Sequence, residues 1–240
     1  MTLAHTVVVT GIKRLSRVLC RVDDAQLSRV PACGPLILVP NHINFLEAPV
    51  LYTHLQPRRI SALAKAETWN NPALRFLFNI AGGIPLRRGE ADVQAIRRGL
   101  EFLEQGHILA VAPEGHRSGH GRLQRGRPGV VMMALRSGAP LLPVASYGGE
   151  SFRSNVARLR RTPYHIVVGN PFYLDAGGAK VTREVRQQMA DEVMYQLAAL
   201  LPPAYRGHYS DLAAASETHL RFPPGSGSNL ACAMPLPVLN

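Results

Sequence analysis

Leu36-Ile37-Leu38-Val39-Pro40-Asn41-His42-Ile43-Asn44-Phe45-Leu46-Glu47 joins a strand, a polar turn and the start of a helix. Residues 36–39 form an unbroken apolar run bounded by prolines, the pattern of a strand buried on both faces. Pro40 stops it, because proline has no N–H to give to a ladder. Apolar residues resume at Leu46 and predict a helix over 46–55. The polar residues in between then fall at the carboxyl end of a strand, where open α/β sheets bind their ligands.

The same alternation extends outward. Strands are predicted at 61–64, 84–87, 108–111, 141–145 and 165–168. Asn71-Pro72 supplies a cap and a first-turn proline, which opens a helix to about residue 80. Val93, Ile96, Leu100 and Leu103 keep helical spacing, residues 129–136 form another helix, and Val185, Met189, Val193 and Leu197 mark a long last one. Such repeated βα units predict an α/β fold, a single domain with a mostly parallel central sheet flanked by helices. The length of 240 residues agrees with one domain.

The two ends read differently. Val8, Ile12, Leu15 and Leu19 share one helical face, backed by Lys13, Arg14, Arg17 and Arg21, so residues 1–21 predict an amphipathic helix. That pattern suits a helix lying in a membrane interface and equally a surface helix packed on the domain. Residues 211–240 lose the periodicity and include Pro223-Pro224-Gly225-Ser226-Gly227-Ser228, which predicts a flexible low-complexity tail.

Charge narrows the partners. Lysine and arginine number 27 against 16 acidic residues, a net +11 that falls within residues 1–170 and is absent from 171–240. An excess of this size favours anionic partners. A nucleic-acid-binding module would account for it, but the chain carries no recognised DNA-binding or RNA-binding motif, so no nucleic-acid partner is expected. Codon bias in a GC-rich genome accounts equally for the preponderance of arginine. Cys20, Cys33 and Cys232 show no C-x-x-C spacing, which argues against a zinc ribbon or redox dithiol and fits a reduced compartment. His116 and His120 are four apart, but Ser118-Gly119 lies between them and no H-E-x-x-H is present, so no metal site is expected. The P-loop, the dinucleotide fingerprint and the G-x-S-x-G elbow are all incomplete. No run of about 18 apolar residues predicts a membrane span, and the N-terminus lacks the order of a secretory signal.

Three polar blocks carry candidate chemistry. His42 has Glu47 five residues on, and a carboxylate can fix a histidine's tautomer and stabilise its cation. Taken singly, such a histidine reads more often as a structural one. Gly82-Gly83-Ile84-Pro85-Leu86-Arg87-Arg88 places two arginines after another strand. Ala112-Pro113-Glu114-Gly115-His116-Arg117-Ser118 offers an acceptor and a guanidinium suited to a phosphate, or else a surface ion pair. Ala139-Pro140-Leu141-Leu142-Pro143-Val144 has no charge and looks like a wall-forming strand.

The order and spacing of these blocks resemble the glycerolipid acyltransferase family, which includes the 1-acyl-sn-glycerol-3-phosphate acyltransferases. That family shows N-H-x4-D, G-x-x-F-x-x-R, F-P-E-G-T-R-S and a proline-bearing apolar block. The resemblance covers about residues 5–210 and implies a glycerol-3-phosphate acyltransferase-like fold, with 22–210 as the acyltransferase domain. It departs from the family at Glu47, Pro85 and His116. It implies acyl transfer from acyl-CoA or acyl-carrier protein to a lysophosphatidic acid-like acceptor without a cofactor, by a peripheral enzyme on the cytoplasmic face of the cell membrane. Other acceptors remain open: glycerol 3-phosphate, a lysophospholipid or a non-glycerol lipid. The family pattern makes His42 the general base and Glu47 its orienting partner. Asn41, Arg88, Glu114, Gly115, Arg117 and Ser118 become substrate contacts, and Pro140 and Pro143 part of the acyl pocket or wall.

Overall fold

A computed structural model describes residues 3–87, 92–178 and 180–233. In chain order its elements are helix α1 (Leu3–Leu19), strand β1 (Cys20–Asp23), β2 (Leu36–Pro40), α2 (Glu47–His54), β3 (Ile60–Lys65), α3 (Pro72–Ile80), β4 (Ile84–Leu86), α4 (Val93–Glu104) and β5 (Ile108–Ala110). There follow α5 (Gly129–Ser137), β6 (Leu141–Tyr147), α6 (Phe152–Ala157), β7 (Thr162–Val168), β8 (Tyr173–Leu174), α7 (Arg183–Ala198) and β9 (Leu220–Arg221). Strands β1 to β7 form a sheet in the order β1-β7-β6-β2-β5-β3-β4. Every pairing is parallel except β6 with β7.

Alternation along β2 explains the layers. Ile37 and Val39 pack with Leu109, Leu141, Val130 and Val193, under α4, α5 and α7. Leu36 and Leu38 point the other way, toward Val50 and Leu51 of α2 and Leu55 just after it. All five residues of β2 are buried, as a strand between two helical layers requires. β2 lies between β6 and β5, and the chain leaves it toward β3 on one side and returns to β6 on the other. This is a switch point, and it opens a crevice beyond Pro40.

The ends differ from the sequence expectation. The stripe of Val8, Ile12, Leu15 and Leu19 is split. Val8, Ile12 and Leu19 turn partly toward the domain beside buried Val9 and Ser16, while Leu15 faces out with Leu3, Val7 and Val18. His5 Nε2 meets the Tyr52 hydroxyl at 2.8 Å, and Arg161 donates to the carbonyls of Arg17 and Cys20 at the end of α1. The chain then runs directly into β1, which pairs with β7. Residues 3–21 are therefore built into the domain.

The expected flexible tail is packed through residue 233. Glu192 of α7 is buried and accepts from Ser216 Oγ at 2.8 Å, Thr218 N at 3.1 Å and His219 N at 3.0 Å. One turn on, Gln196 Oε1 accepts from Asn229 N at 2.9 Å. Leu220 enters the core, and β9 pairs with β8. Lost periodicity and the Pro-Gly-Ser run mislead here because hydrogen bonds to two buried polar residues fasten the segment. The legible signal was Glu192 and Gln196 interrupting the apolar side of α7. Residues 234–240 lie outside the described residues.

Candidate active site

The carboxyl ends of β2, β5 and β6 meet in one place, and hydrogen bonds lace their loops together. Asn41 follows β2 and is buried. Its Oδ1 accepts from Ser146 N at 2.7 Å, and its Nδ2 donates to Ser146 O at 2.8 Å. The side chain expected to touch substrate is instead committed to β6, because Ser146 interposes a main-chain donor and acceptor that need partners. Asn41→Ala would orphan both and is expected to cost about 2–4 kcal/mol. The unfolding midpoint in denaturant measures this, and an unchanged midpoint would show the amide to be dispensable.

The loop after β5 clamps the next residue. Glu114 is buried, accepting from His42 N at 2.6 Å through Oε1 and from Gln124 N at 2.9 Å through Oε2. Burial pushes its carboxyl above the usual carboxylate range, against the opposing pull of those amides. Ser118 N donates to His42 O at 2.8 Å, and Gly119 N to Ile43 O at 2.9 Å. His42 is thus held at its own N–H and C=O by the opposite loop. Gly115 sits at φ +74°, where glycine is favoured, and a Cβ there would lie 3.0 Å from Cδ of Arg127. The turn's shape and the passage of Arg127 across it both need that glycine.

These clamps leave the His42 side chain for chemistry. Nδ1 lies 3.3 Å from Glu47 Oε2, and the imidazole is 23% exposed while the carboxylate is 3% exposed. Glu47 is the first residue of α2, where the helix dipole favours an anion, and Asn44 N donates to it at 3.1 Å. Asn44 is fixed in turn by Gly149 O at 2.6 Å and by Leu46 N at 2.8 Å. A carboxylate beside Nδ1 favours the tautomer with its proton there, which leaves the Nε2 lone pair free to accept a hydrogen bond. The longer glutamate reaches its histidine without strain on the loop.

The other expected contacts divide. Arg117 is exposed and has no hydrogen-bond or ion-pair partner among the described residues, so its guanidinium is open to a ligand. Ser118 contributes its N–H to His42. Arg88 lies outside the described residues. Glu114 serves two main-chain amides rather than standing open to substrate. The two prolines lie along the sheet. The Pro140 carbonyl accepts from Ile37 N at 2.9 Å, five residues before His42, which is about 16 Å away along a strand. Pro143 is buried in the ladder opposite Val39. Pro140 thus precedes β6 at the end of the sheet away from His42, and Pro143 lies inside that strand. Gln124, Asn44, Ser146 and Arg127 went unnoticed in the sequence, where no motif marks them. A depression of about 1130 Å³ is lined by His116, Gln124, Arg127, Arg183, Asp191 and Tyr209 but does not include His42.

A protein-family model described as Acyltransferase matches residues 21–147, more than half of the chain and the part that holds His42, Glu47, Glu114 and Arg117. The chain belongs to the glycerolipid acyltransferase family. It is 27% identical over 158 residues to the chloroplastic 1-acyl-sn-glycerol-3-phosphate acyltransferase BAT2 of Brassica napus, covering 64% of this chain and 45% of that protein. It is 32% identical over 112 residues to the lyso-ornithine lipid O-acyltransferase of Pseudomonas aeruginosa, covering 46% of this chain and 42% of that one. The chain thus spans about half the length of these curated relatives. The crystal structure of the 1-acyl-sn-glycerophosphate acyltransferase PlsC from Thermotoga maritima shares the fold, with a TM-score of 0.57 at 23% identity, covering 79% of this chain and 78% of that chain.

Proposed function

We propose that this protein moves a fatty acyl group from acyl-CoA or acyl-carrier protein to the hydroxyl of 1-acyl-sn-glycerol 3-phosphate, giving phosphatidic acid. The observation that carries this is the His42–Glu47 pair at 3.3 Å, fixed by main-chain bonds beside the unpartnered Arg117. His42 Nε2 takes the acceptor's O–H proton as that oxygen attacks the thioester carbonyl. The C–S bond breaks, and the departing thiolate takes the proton back from the imidazolium. Glu47 stabilises the imidazolium in between. Holding donor and acceptor together in the crevice makes the step effectively unimolecular. Arg117, with Arg88, supplies the cationic seat for the acceptor phosphate. The names of the relatives in Brassica napus and Thermotoga maritima support this acceptor.

A second reading has the same chemistry on a different lipid. It is favoured by the lyso-ornithine lipid relative and by Pro85 and His116, where the family pattern has other residues. An acceptor panel with a labelled acyl thioester separates the two. Arg117→Ala is expected to raise KM about 10- to 100-fold for the phosphate-bearing acceptor, the value of a charge-assisted hydrogen bond, with no change in melting temperature. Equal KM values in parent and variant would remove Arg117 from the phosphate site. Preferred transfer to a phosphate-free acceptor would establish the second reading.

The substrate is a lipid, and no helix among the described residues is long and apolar enough to cross a membrane. We infer peripheral attachment at the cytoplasmic face, with Arg14, Arg17 and Arg21 exposed along one end of the molecule to meet anionic headgroups.

A further inference from the structure

An ordinary surface helix turns its apolar stripe inward and its polar residues to water. Helix α3 buries no such stripe, and only Phe78 and Ile80 are partly covered. None of its nine residues is buried, and Leu74, Phe76 and Leu77 are 40%, 56% and 37% exposed. Its polar residues Arg75 and Asn79, one turn apart, are also exposed, and their side chains bond to the neighbouring Trp69. Arg75 Nε donates to Trp69 O at 2.8 Å, and Asn79 Oδ1 accepts from Trp69 Nε1 at 2.9 Å. Local signals form the helix without burial. Asn71 caps it by accepting from Leu74 N at 3.1 Å, and Pro72 opens it.

We propose that α3 inserts this outward apolar arc into an anionic lipid bilayer, as a membrane-docking element that acts together with the start of α1. The proposal rests on the lipid-acceptor reading above. Three observations select a bilayer as the occupant. First, the apolar surface continues onto α1. The Tyr52 hydroxyl touches His5 Nε2 at 2.8 Å and Ile80 O at 3.4 Å, so one side chain of α2 bridges the start of α1 and the end of α3. There Leu3 and Val7 are 82% and 62% exposed. Second, a cation lies beside the continued surface, Arg14 exposed on α1, whereas the half-exposed Lys65 is paired with Glu67 at 3.3 Å. Third, a nine-residue helix is only about 14 Å long, too small a face for the roughly 800 Å² per partner of a stable dimer.

The test is co-sedimentation of the full chain with vesicles of phosphatidylcholine and phosphatidylglycerol, comparing parent with a Leu74→Ser, Phe76→Ser, Leu77→Ser variant. These side chains are exposed, and circular dichroism checks that the variant keeps its fold. The variant is expected to partition about 10-fold or more weakly, and the deficit should persist in high salt, because apolar insertion is not screened. Transfer to a water-soluble short-chain acceptor should be unchanged. Failure of the parent to use that acceptor would overturn the functional reading and leave the partition result standing. Equal partition of parent and variant would overturn the docking proposal. So would a parent that elutes as a dimer while the variant elutes as a monomer, since the face would then belong to a second copy.

Discussion

His42→Ala is expected to lower turnover by about 10²–10⁴-fold, the usual worth of a positioned general base, while leaving the melting temperature in place. The separation of chemistry from folding follows from how this residue is held. Its N–H is bonded by Glu114 and its C=O by Ser118, and alanine keeps both groups. Only the 3.3 Å contact of Nδ1 with Glu47 is lost, and Glu47 retains the donor Asn44 N. The measurement is transfer of a labelled acyl group at saturating donor and acceptor, paired with thermal unfolding. Full activity at matched concentration would sink the proposed mechanism, since no other described group stands in the same relation to the crevice.

Glu114→Ala is expected to act in the opposite order, on the fold first and on activity as a consequence. It removes the acceptor of two main-chain amides, His42 N and Gln124 N. An orphaned donor costs about 1–3 kcal/mol, so the pair should cost about 2–5 kcal/mol and lower the denaturation midpoint accordingly. Activity should fall with it, because the His42 backbone loses one of its two anchors. Glu114→Gln keeps the volume and one acceptor and should lose less. The carboxyl's raised pKa also sets a sign. The native state holds this proton to higher pH than the unfolded chain does. Glu114 therefore makes stability decline as pH rises from about the ordinary value of 4.5 through the raised native one. Glu114→Gln should remove that part of the slope in a pH series of unfolding curves. An unchanged slope would show that Glu114 carries none of it.

Much of the frame was legible before the structure. The apolar run at 36–39, the cap and proline at Asn71-Pro72 and the periodic helix through Met189 and Val193 are local signals, and each became the expected element. The motif order likewise brought His42, Glu47, Glu114 and Arg117 to one end of the sheet. What stayed hidden depends on partners far along the chain. Asn41 and Ser146 are 105 residues apart, and His42 and Glu114 are 72 apart. A motif marks such residues without saying whether a polar side chain faces a ligand or a neighbouring backbone. The same limit explains the tail. Its Pro, Gly and Ser content says that it cannot form a core of its own, but not that Glu192 and Gln196 wait for it on α7.

Arginine shows the limit from another side. Arg58 donates to the carbonyls of Pro31, Gly34 and Gly106, and Arg161 closes the end of α1. Part of the net +11 is therefore spent on fastening loops inside the molecule rather than on attracting partners.

The lacing of His42 into its surroundings runs through main-chain groups and buried side chains, whereas the positions facing outward carry little structural duty. His116 stands where the family pattern has threonine, and its ring only meets its neighbour's carbonyl, Glu114 O, at 3.0 Å. Such an arrangement is permissive to divergence. Rim residues such as 116 and 117 can be exchanged without disturbing the His42–Glu47 pair, which stays where the sheet and its loops have set it.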